Sequence, residues 1–132
     1  MNGYLLDTNI CIYFNKKLFG IGERMLTIGL NRCMISEITK AELLFGAANS
    51  RDVKRNMEVV SLFLVDINVL PISDCLGTFA AEKARLRKAG LPLPDFDLLI
   101  GSTAMHHNMT LVTNNTRHFE RLDGIKLEDW TK

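Results

Sequence analysis

Short apolar runs alternate with longer amphipathic stretches along the chain. Aliphatic and β-branched residues cluster at positions 4–6, 33–35, 69–72, 110–112 and, weakly, 125–127. Each run is strand-sized, and the segments between them are long enough for helices. That alternation predicts an α/β sandwich built on a mainly parallel sheet. Ser36-Glu37-Ile38-Thr39 followed by residues 40–48 reads as a helix with Ser36 as N-cap. Residues 51–65 form a second helix, apolar at Val53, Met57, Val60 and Leu64 but also at Val59, Leu62, Phe63 and Val65. A helix apolar on several faces is buried on more than one side or lies in an interface. A third helix spans 74–89 and ends at Gly90. A fourth starts at Pro94-Asp95 and runs to about Asn108; its small Gly101 and Ala104 should let it approach the sheet closely.

The first apolar run ends on Asp7, a position beyond the carboxyl end of a strand where open α/β sheets bind ligands. Asp7 could cap the next helix, but Thr8 or Asn9 could do so equally well. Glu42 lies about 40° from Ile38 and about 60° from Phe45 around its helix, on the flank of the apolar stripe. It therefore points towards the sheet. Asp97 shares a helical face with Gly101 and Ala104, whereas Asp95 is the better N-cap. Asn115, after the run 110–112, can make a turn, ligate a hard cation or orient its water.

Three carboxylates converging without a counter-ion would repel, and at least one would keep its proton near neutral pH. A divalent cation removes that cost. Oxygen ligands without cysteine or histidine favour Mg²⁺ or Mn²⁺ over zinc. Such an ion can lower the pKa of a bound water and neutralise phosphoryl charge, as phosphodiester hydrolysis requires.

Composition narrows the remaining options. At 132 residues, 47% hydrophobic and 23% charged, the chain is expected to be one globular domain. A net charge of +1 neither marks nor excludes a nucleic-acid binder. Cys11, Cys33 and Cys75 have no zinc or Cys-x-x-Cys spacing and read as reduced core thiols. No leader is expected, and the most apolar window, 59–72, contains Asp66, Asn68 and Pro71, so it cannot span a bilayer. A cytoplasmic location follows as the expectation. His106 and His107 are about 100° apart on their helix and cannot converge on one phosphate. With His118 they are read as surface or capping residues. Lys83, Arg85, Arg87 and Lys88 read as a solvated helix face. Arg117 and Arg121 are better placed to meet a phosphate backbone.

Taken together, these residues resemble the PIN-domain family and, more narrowly, its VapC toxins of bacterial type II toxin–antitoxin modules. Leu5-Leu6-Asp7-Thr8-Asn9 resembles the opening motif, and Ser36-Glu37-Ile38-Thr39 leading to Ala41-Glu42-Leu43-Leu44-Phe45-Gly46 the second. Asp97-Leu98-Leu99-Ile100-Gly101 resembles the third, where Ala commonly replaces this Gly. Residues 111–119 and the terminal Leu127-Glu128-Asp129-Trp130 complete the pattern. Any one motif is weak; the ordered set is specific.

The resemblance implies a single PIN domain over residues 1–132, a PIN-like three-layer α/β/α sandwich. It implies an Mg²⁺- or Mn²⁺-dependent endoribonuclease with Asp7, Glu42 and Asp97 as catalytic and metal-holding acids. Thr8, Asn9, Thr113 and Asn115 would surround and orient them, and Arg117 and Arg121 would contact RNA. It further implies a homodimer, held in a higher-order complex by a VapB-type antitoxin whose tail fills the active-site groove. The helices near 37–48 and 51–65 correspond to the region that grips the antitoxin and helps form the dimer. Family substrates are structured RNAs, commonly tRNA, which makes the anticodon loop a candidate target.

One departure bears on the metal. Many PIN domains carry a fourth acid at or near Asn115, where this chain has amides, so one firmly held ion is expected. The expected products are 5′-phosphate and 3′-hydroxyl ends. Two rivals fit less well. A phospho-acceptor receiver needs clustered acids after the first strand, and an aspartyl phosphotransferase needs a second acid where Asn9 stands. A PIN-like module that binds without cutting is opposed by the intact acids.

Overall fold

The computed structural model describes residues 3–132; positions 1 and 2 of the expected domain lie outside the described residues. Its five strands are β1 (Tyr4–Leu6), β2 (Cys33–Ser36), β3 (Asn68–Leu70), β4 (Thr110–Val112) and β5 (Lys126–Glu128). They form one sheet in the order β3-β2-β1-β4-β5, parallel at each pairing. The helices are α1 (Thr8–Asn15), α2 (Ile21–Ile28), α3 (Glu37–Ala48), α4 (Val53–Asp66), α5 (Leu76–Ala89), α6 (Asp95–His106) and α7 (Thr116–Phe119).

Alternation along the strands sorts the core into two halves. Leu5 and its register partner Leu111 face a cluster with Leu86, Leu98, Ile100, Phe119 and Leu122. Leu6 and its partner Val112 face the other, with Ile10, Ile35, Leu43, Val60, Phe63 and Trp130. Successive strand side chains point to opposite faces, so a sheet apolar at both positions must be covered on both sides. The expected three-layer sandwich is what forms.

Local departures have local causes. β3 begins one residue early and stops before Pro71, which has no N–H to continue a ladder. A 3₁₀ turn at Ser73–Cys75 precedes α5, which ends on Gly90 in the left-handed region at φ 73°. Asp95 is not the N-cap of α6. Pro94 holds that position, while Asp95 is the first helical residue and pairs with Lys83 at 2.9 Å. Gly101 does give close approach, but to the segment after β4 rather than to the sheet. A Cβ built there would collide with Leu122 Cδ1 and lie 3.5 Å from Phe119 Cδ1. On α4, Val60 and Phe63 are buried while Val59, Leu62 and Val65 stay exposed. Its second apolar face is uncovered in the monomer.

Candidate active site

After β1 the chain builds β2 and β3 on one side, then crosses to place β4 on the other. The gap beyond the carboxyl ends of β1 and β4 is the topological switch point, where a parallel sheet leaves room for a ligand. Asp7 and Thr113 are the first residues past those two strands. Asp7 N–H donates to the Val112 carbonyl at 2.9 Å, tying the strand ends together.

Asp7 is buried yet carries a carboxylate. It is the N-cap of α1, accepting from Thr8 N–H at 2.8 Å through Oδ1, while Thr113 Oγ1 donates to Oδ2 at 2.8 Å. Capping therefore does use the acid, although Thr8 or Asn9 could have served equally well. Burial pushes the Asp7 carboxyl above its ordinary range. The bonds from Thr113 and Thr8 pull it back, and the charges of Asp97 and Glu42 push it up again. Asp97 and Glu42 thus both lie within electrostatic reach of Asp7.

Glu42 enters from the second turn of α3, after the Ser36 cap, whose Oγ accepts from Ile38 N–H at 3.0 Å. Its Oε1 accepts from Thr8 Oγ1 at 2.6 Å, so the side chain turns inward from the stripe's flank. Thr39 Oγ1, fully buried, lies 3.1 Å from the same Thr8 hydroxyl. Asp97 enters from the first turn of α6, where the helix dipole favours an acid. Its Oδ2 lies 3.0 Å from His118 Nε2. His118 was not expected here; read as a surface or capping residue, it is instead Asp97's partner. The available signal was its place three residues after Asn115, inside the motif at 111–119.

The remaining expected residues divide. Asn115 caps α7 with its backbone: its carbonyl accepts from His118 and Phe119 N–H, and its N–H donates to Thr113 Oγ1 at 3.0 Å. Its side chain makes no cap bond and is exposed. Asn114 donates to Tyr13 Oη at 3.0 Å. Asn9 is exposed on the first turn of α1, and Arg117 is exposed on α7. Arg121 is committed elsewhere, donating to the Pro92 carbonyl at 3.0 Å. The three cysteines are buried and free, and burial pushes the Cys11 thiol far up, which makes it inert core.

The donor set suits a hard divalent cation: a buried carboxylate, Asp7, repelled by two others, Asp97 and Glu42. Among the described residues no group of three His, Cys, Asp or Glu side chains forms a ready cage. That is compatible with Mg²⁺, which keeps several waters and takes one or two carboxylates rather than an all-protein shell.

A groove of about 720 Å³ opens away from the acids, between α4 and the α1–α2 turn. Phe14, Leu18, Met25, Leu26, Val59 and Leu62 are among its lining residues. Among the described residues no helix is long and apolar enough to cross a membrane.

The PIN domain profile matches residues 4–125. The chain is 35% identical over 129 residues to the tRNA(fMet)-specific endonuclease VapC of Shigella flexneri, covering 97% of this chain and 98% of that one. It is 35% identical over 132 residues to Ribonuclease VapC2 of Rickettsia felis, with 98% of each covered. Among solved structures, DNA-bound VapBC from Salmonella typhimurium superposes with a TM-score of 0.92 at 37% identity, covering 98% of this chain and 99% of that one.

Proposed function

The chain belongs to the PIN-domain family, and from that premise we propose that it is the toxin of a VapBC-type toxin–antitoxin pair, an endoribonuclease that hydrolyses RNA phosphodiesters. The observation that supports the reading is a buried carboxylate, Asp7, at the switch point of a parallel sheet, repelled there by Asp97 and Glu42. PIN-domain nucleases are metal-dependent in general. In this chain Asp7 and Asp97 would hold Mg²⁺ or Mn²⁺, and Glu42 would hold it or orient the attacking water. When bound, the ion supplies charge neutralisation on the phosphoryl group and a lowered pKa for water.

The chain's own groups do the positioning. Thr113 and Thr8 fix the two oxygens of Asp7, and Thr8 also holds Glu42. Fixing the acids before substrate arrives lowers the cost of assembling the site. Asn115, exposed at the rim, is available to a sugar or phosphate. Arg117 is the better-placed contact of the two arginines, because Arg121 is already engaged. The single domain and its cytoplasmic placement are part of the same proposal.

The relatives' names suggest partners. An initiator tRNA, the substrate in the name of the Shigella flexneri relative, is the first RNA to try. A VapB-type antitoxin and a second copy of the chain would cover the exposed apolar residues. The groove beside α4, the uncovered face of that helix and the exposed Phe45 on α3 suit such partners, and α2 adds Leu26 to the same surface.

The test is cleavage of purified initiator tRNA by the full chain, with Mg²⁺ or Mn²⁺ and with EDTA. Metal-dependent cuts leaving 5′-phosphate and 3′-hydroxyl ends are expected. Cleavage that persists in EDTA, or 2′,3′-cyclic ends, would sink the mechanism, since those ends require the ribose hydroxyl as nucleophile.

A further inference from the structure

Each acid of the cluster has a donor from another part of the chain. Thr113 serves Asp7, Thr8 serves Glu42, and His118 serves Asp97. We propose that His118 is a positioning residue, whose Nε2–H holds Oδ2 of Asp97 and fixes the orientation in which that carboxylate meets a divalent cation. This rests on the reading of Asp97 as a metal ligand given above.

The packing around His118 supports a fixed donor. Its N–H donates to the Asn115 carbonyl at 3.2 Å, so the residue is locked into the single turn of α7. Its ring meets Phe119 edge-on at 5.7 Å, and Phe119 is fully within the core. Gly101, one turn beyond Asp97 on α6, leaves the space that Leu122 occupies. The missing side chain thus lets the segment carrying His118 close on the helix carrying Asp97. An Asp side chain has two free torsions, and a donor on one oxygen removes most of that freedom. A lysine or arginine in the same place would carry a permanent charge that competes with the ion. An imidazole can donate while neutral. Outer partners of this kind typically contribute about 10–100-fold to metal affinity.

The experiment is a Mn²⁺ titration of the purified full chain, read by the loss of the free-ion electron paramagnetic resonance signal. Asp97→Asn, His118→Leu, His118→Asn and His118→Gln are compared with the wild type, each checked for its fold by circular dichroism. His118→Leu should weaken Mn²⁺ binding about tenfold or more. His118→Gln, whose amide can reach the Nε2 position, should recover most of the loss. His118→Asn falls short of that position and should not, so it stands in for the leucine variant if that one fails to fold. Equal binding by the glutamine and asparagine variants overturns the proposal. If Asp97→Asn binds weakly while His118→Leu binds like the wild type, the proposal alone fails. If Asp97→Asn binds normally, Asp97 is not a ligand, and both readings fall.

Discussion

Asp7 and Glu82 are equally hidden from solvent, at 7% and 8% exposure, but Asp7 lies deeper in the protein and the fold treats the two in opposite ways. Glu82, on α5, receives Arg85 Nε at 2.9 Å and Nη2 at 3.0 Å, plus the Asp123 N–H at 2.9 Å. The Arg85 bonds pull its carboxyl below the usual range against the effect of burial. Among the described residues Asp7 has only neutral donors, and its charged neighbours are two more acids. Burying a carboxylate without a cation is expensive, so a fold that needed only a cap at that position had cheaper choices. One acid completes a structure; the other leaves a charge for something else to balance.

Substituting Asp7 tests that contrast most severely. Asp7→Asn should lower RNA cleavage by more than about a hundredfold, beyond the typical loss from an outer partner of a metal site. Stability should move the other way. Asparagine caps a helix as well as aspartate, so the bond from Thr8 survives. A carboxyl whose folded pKa is raised contributes stability that is full below its unfolded value, about 3.9, and lost as pH rises through the folded value. At neutral pH the Asp7 carboxyl is therefore a cost, and the variant's Tm in EDTA should equal or exceed that of the wild type. Mn²⁺ should then raise the wild-type Tm more than the variant's. A clear drop in the variant's Tm in EDTA would make Asp7 a structural acid like Glu82.

Glu82→Gln gives the opposite pattern, and a smaller effect. Cleavage should be retained, while stability falls by about 1–2 kcal/mol, the low end for hydrogen bonds to a charged group because the arginine is half exposed. Here the folded pKa is lowered, so the contribution is present above the unfolded value, about 4.3, and disappears as pH falls through the folded one. Thermal melts of the wild type and the two variants should converge on acidification, Asp7→Asn from above or level and Glu82→Gln from below. A Glu82→Gln deficit that persists undiminished in acid would show that charge is not what this residue contributes.

The contrast also marks what could be read from sequence. Strands β1 and β4 were legible at their bounds because apolar runs end on polar residues at Asp7 and Thr113. The places of Asp7 at a strand end and of Glu42 and Asp97 on two helices were legible, because local pattern sets which face an acid occupies. Glu82 with Arg85 was not. The arginine looked like part of a solvated face, and the pair's third member, the Asp123 N–H, lies 41 residues away. His118 escaped for the same reason, since its partner is 21 residues back on another helix. The i,i+3 spacing of Glu82 and Arg85 is local, but the bonds that tie the pair to the Arg121 carbonyl and the Asp123 N–H are not, and neither is the contact of His118 with Asp97.

Gly101 joins the two regions. Arg85 holds the Arg121 carbonyl at 2.7 Å and Glu82 holds the Asp123 N–H, so the ion pair pins the residues on either side of Leu122. Leu122, almost fully buried, fills the space over Gly101 on the helix that carries Asp97. Gly101→Ala should gain about 1 kcal/mol of helix propensity and lose roughly 1–3 kcal/mol to overpacking, for a small net loss of stability. Shortening the opposing side chain should relieve the clash. In the Leu122→Val background, Gly101→Ala should cost at least about 0.5 kcal/mol less than in the wild type, as expected for residues in contact. The double-mutant cycle is read from denaturant melts. Strict additivity would mean that Gly101 and Leu122 do not press on each other. The spacing between His118 and Asp97 would then be set by the ion pair behind Leu122, and not by the missing side chain in front of it.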